Sequence, residues 1–396
     1  MPQAPSSAAR PLRVLHVISM LTGGGAEKFL CALASAFDES AVHTGIMPVY
    51  PTSVPFDEAE LRRISIIPIA RRSRYDPGFL GRMLRGVRQF KPDIVHAHLH
   101  NGKYWGRLAA LAARVPIVIF TEHSPQGEKR IIPEILVDEV LNRVTDGVIT
   151  FTQRQRSMLE KNERIPPGKL RVIENGIPLP PPPDARRRSE ARAQLCVEED
   201  GFAIFVVGRL EPIKNMQLAV RAMRELPDAR PRIHLYIAGD GSEMNPLRDL
   251  AVTQEVTARV TFLGHRRDAV HLLCGADVLF LPSLVEGMPL AALEAMTSGV
   301  PVMSTPWAGS EELLAGGRLG VVLADWNPRT AARAFQEAAA NESALREMAQ
   351  RALDFARGRY DIRRAAREHE RFYTELATRK GLRTMDWKSR ELSPTL

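Results

Sequence analysis

The feature that most constrains this chain is an alternation that runs through it twice. Short unbroken runs rich in Val, Ile and Leu are each followed by a turn and then by a segment with helical spacing. In the first half the runs are Arg13–Ser19, His43–Val49, Ile64–Ile69, Asp93–Ala97, Val115–Thr121, Gly147–Phe151 and Leu170–Glu174. In the second half they are Phe202–Val207, Ile233–Ala238, Val260–Leu263, Asp277–Pro282 and Val300–Thr305. A strand with one wet face alternates polar and apolar side chains, whereas an unbroken apolar run belongs to a strand covered on both faces. Strands of that kind, separated by helices, predict the α/β class: doubly wound parallel sheets with helices on each side.

The alternation stops once, at Pro178-Leu-Pro-Pro-Pro-Pro183, which fits neither a helix interior nor a central strand. The sequence therefore predicts four parts. Residues 1–12 are a disordered terminus, 13–183 a first Rossmann-like domain, 184–360 a second, and 361–396 a charged amphipathic helix that packs back on the first. A length of 396 residues suits two such domains, at about 150 residues each. With 44% hydrophobic and 25% charged residues, disordered and fibrous classes are excluded. Cys31, Cys196 and Cys274 form no CxxC pair, against a disulfide framework or a cysteine zinc site. The apolar stretch Leu108–Phe120 is broken by Arg114 and Pro116, and Met1–Val14 lacks an apolar core. A cytoplasmic protein without membrane span or secretory signal is expected.

In a parallel sheet the turns after the strands share the carboxyl edge, where open α/β folds bind ligands. In the second half these turns hold Gly208-Arg209, Gly239-Asp240-Gly241, Gly264-His265 and Pro282-Ser283, the last leading to Glu286-Gly287. One such glycine needs only a tight turn; four in register predict a crevice. Pro289 is placed as the first residue of a helix through Leu290 to Met296, so that amides from Gly287, Met288 and Leu290 face the crevice. A helix amino terminus beside Arg209 and Lys214 makes an anion site, most naturally for phosphate. Glu286 and Glu294 are eight positions apart, ~12 Å along a helix. That is too long for the paired carboxylates of a glycosidase, which need about 5 to 9.5 Å. It suits an elongated ligand gripped at both ends.

These stretches resemble the retaining glycosyltransferases of the GT-B fold, family 4, also described as glycosyl transferases group 1. The most specific is Glu286-Gly-Met-Pro-Leu-Ala-Ala-Leu-Glu294, similar to the Glu-x7-Glu signature of that family. Gly208-Arg209-Leu-Glu-Pro-Ile-Lys214-Asn215 resembles its diphosphate-binding stretch, and Thr22-Gly-Gly-Gly-Ala-Glu27 its amino-terminal glycine loop. Lys91–His98, Thr121-Glu-His123 and Val172–Ile177 follow in family order, while Pro178 and Ala308 depart from the usual pattern. The resemblance implies two domains facing across a cleft. It also implies that Arg209 and Lys214 hold the donor diphosphate and that Glu294 binds the ribose. Glu286, with Gly287, Met288, Pro289 and Leu290, would hold the transferred sugar and phosphate. His123, Gly24 and Gly25 would line the sugar and acceptor side, and Gly264 and His265 would face the nucleobase.

The activity so implied is a retaining transfer of a hexose-type sugar from a nucleotide diphosphate, most naturally UDP, to a glycan or lipid-linked acceptor in surface polysaccharide assembly. The chain has no Asp-x-Asp, so no metal and no cofactor are expected, and Arg209, Lys214 and the helix end would take up the leaving-group charge. The alternatives are a nucleotide-sugar epimerase or hydrolase on the same fold and a non-catalytic sugar-binding subunit. His96, His98 and His100 alternate as if on one strand face, which raises a metal reading; packing or acceptor lining is preferred. Gly23-Gly-Gly25 lacks the third glycine of a dinucleotide fingerprint, Lys28 standing in its place. The basic segment 71–91 reads as a helix packed through Phe79, Leu80, Met83, Leu84 and Val87, with Arg82, Arg85 and Arg88 on another face. An anionic membrane surface, the inner face of the membrane, is a possible partner for it. Nucleic acid is not, because aromatic residues are only 6% of the chain and are not interleaved with the patch.

Overall fold

The computed structural model describes residues 10–51, 64–73, 75–123, 132–227 and 232–382, with backbone alone over 132–136. Residues 1–9 of the expected disordered terminus lie outside the described residues. The chain divides into two compact units, residues 1–176 with 362–396, and residues 177–361.

The first unit is built on a seven-stranded sheet in the order β3-β2-β1-β4-β5-β6-β7. The strands are β1 (Leu12–Ile18), β2 (Val42–Pro48), β3 (Ser65–Ile66), β4 (Ile94–His98), β5 (Ile117–Thr121), β6 (Gly147–Thr150) and β7 (Leu170–Val172). All pair in parallel. Every residue of β4 and β5 is buried, as a sheet covered on both faces requires. Helix Phe79–Phe90 buries Phe79, Met83, Val87 and Phe90, while Leu80 of its expected apolar face is exposed. Helix Ile362–Arg379 also belongs to this unit; it packs beside helix Gly25–Ala36 and buries His369, Phe372, Tyr373 and Leu376.

The second unit carries a six-stranded sheet in the order β10-β9-β8-β11-β12-β13. Its strands are β8 (Phe202–Val207), β9 (Ile233–Ala238), β10 (Val260–Gly264), β11 (Val278–Leu281), β12 (Val302–Ser304) and β13 (Val321–Val322), again all parallel. The two-residue β13 has no expected counterpart, because it is too short to make an apolar run. One core unites Phe202, Ile204, Val206, Leu235, Val278, Phe280 and Phe335. The chain enters this unit at Ile177, ahead of the proline run, and that run is anchored within it. Arg357 Nη1 donates to Pro180 O at 3.0 Å and Arg187 Nη1 to Pro181 O at 3.1 Å.

In both units the strand order reverses between two strands that an aspartate aligns. Asp93, just before β4, donates its N–H to Arg13 O at 2.8 Å, and its carboxylate accepts the Arg13 N–H at 2.9 Å. Asp277, just before β11, makes the same exchange with Ala203 on β8, at 2.9 and 2.7 Å. Asp146 repeats it with Val118, at 2.7 and 2.8 Å. Each carboxylate supplies an acceptor for the amide of the partner strand's second residue.

At the other edge, glycines extend the ladder past the strands. Gly208 N–H donates to Ala238 O at 3.1 Å and Gly239 N–H to Gly264 O at 2.8 Å. A Cβ on Gly239 would lie 1.9 Å from Gly208 O, whereas one on Gly264, at φ +67°, would meet nothing within 4 Å. Gly239→Ala should therefore destabilise the second unit by more than ~3 kcal/mol, since backbone itself must move. Gly264→Ala should cost only about 1 kcal/mol, from its left-handed backbone. Denaturant unfolding of the two variants checks this; equal losses would contradict it.

Candidate active site

The carboxyl ends of β8 and β11 meet at the reversal point of the second sheet, where ligands bind in open α/β folds. After β8 the chain passes Gly208 and the exposed Arg209, then makes a short 3-10 turn over Pro212–Lys214. Asn215 ends that turn in the left-handed region, φ +50°, and its Nδ2 donates to Pro282 O at 3.2 Å. The Leu284 N–H donates to Ile213 O at 3.0 Å. These two bonds tie the loop after β8 to the loop after β11 and set Lys214 beside Glu286. Lys214 Nζ lies 2.6 Å from Glu286 Oε1, which also accepts from Ser283 Oγ at 2.6 Å. Ser283 O in turn accepts from Thr305 Oγ1 at 2.6 Å and from Trp326 Nε1 at 3.1 Å.

Glu286 is only 9% exposed, so its charge is largely withdrawn from water and depends on the ammonium and hydroxyl that face it. The Arg209 guanidinium, by contrast, makes no hydrogen bond or ion pair among the described residues. The helix expected from Pro289 starts one residue later, at Leu290, because Pro289 is extended, with ψ 125°. It runs to Thr297, carries Glu294 half-buried, and has no side-chain cap at its amino end. Its first amides, with Gly287 and Met288 before them, therefore belong to the same edge as Lys214. Gly264 and the exposed His265 end β10, at the far side of that sheet. Ser283, Thr305 and Trp326 are additions that no motif marked; the hydroxyl at Ser283, three residues ahead of Glu286, was the readable signal.

In the first unit, Glu27 fixes the glycine loop. Its Oε2 accepts the N–H of Gly24 at 2.9 Å and of Thr22 at 2.5 Å, and helix Gly25–Ala36 starts there. His123 stands two residues past the end of β5. Glu122 faces inward, where its Oε2 is 3.3 Å from Lys103 Nζ. Lys103 also lies near Asp138, which pairs at 2.6 Å with the fully buried Arg107.

The expected face of His96, His98 and His100 is corrected by the structure. His100 lies in helix Leu99–Ala112, because β4 ends at His98, and His16 of neighbouring β1 takes the third position. His16, His96 and His98 bring ring nitrogens within 4.8 Å of one another, close enough to suggest a metal site. Hydrogen bonds already use both nitrogens of two of these rings. His96 meets Tyr373 OH at 2.8 Å and Thr121 Oγ1 at 2.7 Å. His98 meets His16 Nδ1 at 3.0 Å and His123 Nε2 at 3.2 Å. Burial pushes His16 and His123 down to about 3 and His369 to about 4, and holds His96 and His98 well below the usual imidazole range.

The model described as Glycosyltransferase Family 4 matches residues 23–179, and the one described as Glycosyl transferases group 1 matches residues 187–355. The chain belongs to the group 1 glycosyltransferases of the GT-B fold. It is 31% identical over 224 residues to the Escherichia coli UDP-Gal:alpha-D-GlcNAc-diphosphoundecaprenol alpha-1,3-galactosyltransferase, covering 54% of this chain and 58% of that protein. It is 26% identical over 326 residues to the D-inositol 3-phosphate glycosyltransferase of Corynebacterium efficiens, covering 76% of each. In fold it is similar to Anabaena Alr3699/HepE, solved in complex with UDP, with a TM-score of 0.78, 19% identity, and coverage of 92% of this chain and 100% of that one. Among the described residues, no helix of this glycosyltransferase is long and apolar enough to cross a membrane.

The buried imidazoles set the acid stability of the first unit. Neutral in the fold and free to protonate when unfolded, they make the unfolded chain bind more protons below pH ~6.5. Stability should be complete above that pH and should fall as pH drops towards the folded values near 4 and 3. His369→Leu should flatten the fall of the unfolding midpoint between pH 6.5 and about 4.5 by nearly one proton's worth of slope. An unchanged slope would show that His369 does not titrate as described.

Proposed function

We propose that this glycosyltransferase moves a hexose-type sugar from a nucleotide diphosphate, UDP in the first instance, to a glycan or lipid-linked acceptor, with retention and without a metal ion. The observation that carries the reading is the Lys214–Glu286 pair, locked by Ser283 at the carboxyl edge between β8 and β11. A cation held there, with Arg209 exposed on the adjoining loop and a helix amino terminus opening on the same edge, can hold a diphosphate. Glu294 on that helix binds the ribose hydroxyls, while Glu286 and the backbone from Gly287 to Leu290 hold the sugar and its phosphate. Gly264 and His265 face the base. His123, Gly24 and Gly25 serve the sugar and acceptor. The names of the relatives support a sugar nucleotide as donor and a lipid-linked diphosphate sugar as one acceptor class. An undecaprenol-linked acceptor of that kind is what supports a role in surface polysaccharide assembly. It also suits peripheral binding at the inner face of the membrane, through the exposed Arg85, Arg88 and Lys91.

The chemistry is a substitution on one face of the sugar. The C1–O bond to the diphosphate breaks, and an acceptor hydroxyl oxygen bonds to C1. The hydroxyl proton passes to the departing phosphate oxygen. The nucleotide gains negative charge as it leaves, and Arg209 and Lys214, already placed, stabilise it more in the transition state than in the bound donor. Glu286 keeps the Lys214 ammonium at the edge instead of letting its long side chain sample solvent.

Lys214→Ala should lower kcat by about 100- to 1,000-fold, the usual loss for one preorganised contact to a developing charge. Circular dichroism should stay native. Acceptor-dependent release of UDP from UDP-sugars is the measurement, and near-normal rates in the variant would remove the phosphate site. Turnover should persist in EDTA; loss of activity with recovery on adding manganese would contradict the metal-free mechanism. Release of nucleotide that ignores the acceptor would instead favour a hydrolase.

A further inference from the structure

We propose that His16 and His98 fix His123 as the tautomer with its proton on Nδ1, so that the ring presents a hydrogen-bond donor, and not a basic nitrogen, at the carboxyl edge of β5. The ligand this selects is an oxygen acceptor, a sugar hydroxyl or a phosphate oxygen. The inference deepens the assignment of His123 to the transferred sugar and rests on it for its catalytic meaning.

Three imidazoles form a line. His16 Nδ1 meets His98 Nε2 at 3.0 Å, and His98 Nδ1 meets His123 Nε2 at 3.2 Å. Neutral rings carry one proton each, so the line runs in one of two directions. If His123 donates from Nε2, then His98 donates from Nε2 to His16 Nδ1, and the proton of His16 is forced onto its own Nε2. That atom is buried and has no hydrogen-bond partner among the described residues. A stranded buried N–H is among the rarest defects in folded proteins. In the other direction His16 donates from Nδ1, His98 donates from Nδ1, and only a lone pair is left on His16 Nε2. His123 then accepts at Nε2 and must carry its proton on Nδ1.

The surroundings hold the line in place. His16 and His98 are fully buried, and His123 is half-exposed. His16 is in register with His96 across β1 and β4, and His96 is itself clamped by Thr121 and Tyr373. Phe151 meets the His123 ring edge-on, with centroids 5.3 Å apart. Burial keeps all three rings neutral, which a one-proton-per-ring argument requires. His16 and His98 are thus positioning residues, acting on the ligand through His123.

Long-range proton–nitrogen spectra of the full-length chain labelled with 15N-histidine decide the direction, with His123 assigned by the signals lost in His123→Ala. A protonated Nδ1 on His123 is expected; a protonated Nε2 overturns the proposal. His98→Asn keeps an N–H at the position of His98 Nδ1. It should preserve the His123 tautomer and hold kcat within about threefold, whereas His98→Leu should mix the tautomers and lower kcat about tenfold or more, with donor KM nearly unchanged. Equal loss in both variants overturns the proposal, and the wild-type spectrum and the asparagine variant suffice if the leucine variant does not fold. Full turnover in His123→Ala would instead remove the assignment of His123 to the sugar, a failure separate from that of the tautomer.

Discussion

One backbone constraint underlies both units: an aspartate carboxylate that accepts an amide near the start of the neighbouring strand. Asp93 and Asp277 sit where the strand order reverses, between β1 and β4 and between β8 and β11. Each exchanges two hydrogen bonds with a single residue of its partner strand, so the pairing cannot slide without leaving a charged group and an amide unmatched. A slip by one residue would also reverse the face of every side chain on the strand. Arg10 adds charge to the first lock, and Arg188 and Arg192 add it to the second. Alignment at the amino edge thereby fixes which residues stand at the carboxyl edge, where the chemistry is proposed.

The two units use buried polarity differently. In the second, a buried carboxylate pairs with an ammonium and a hydroxyl, and loop-to-loop backbone bonds define the spacing. In the first, burial without acidic partners drives a group of imidazoles to the neutral form, and they satisfy one another. In the same unit Arg107 is fully buried; burial lowers its pKa, and Asp138, Asn142 and the Lys103 carbonyl meet its guanidinium. The charged pair of the second unit suits a charged ligand; the imidazoles of the first offer neutral, directional hydrogen bonds.

The fold was largely legible because strands covered on both faces write themselves as apolar runs, and the expected runs, from Arg13–Ser19 to Val300–Thr305, coincide with strands β1 to β12. The carboxyl-edge residues were legible for a related reason: glycine at a strand end marks close backbone approach, as at Gly239, or a left-handed turn, as at Gly264. What escaped was whatever depends on contacts between distant segments. Nothing in the spacing of His96, His98 and His100 reveals that the third ring of the group is His16, supplied by another strand through register alone. Ser283 and Trp326 lie 43 positions apart and meet only in three dimensions. The proline run shows in the sequence only as a break in the alternation; that Arg357 and Arg187 hold its carbonyls inside the second unit depends on distant contacts.

The return of helix Ile362–Arg379 to the first unit ties the birth of the molecule to its end. His96 gains its tyrosine hydroxyl, and the first sheet gains its last covering helix, from residues that leave the ribosome after the entire second unit has been made. The second unit therefore has all its residues while the first still lacks the helix that meets His96 and Gly147. Nascent chains halted before Ile362 would carry a finished lobe and an unfinished one, which makes the amino-terminal half the natural client of chaperones during synthesis.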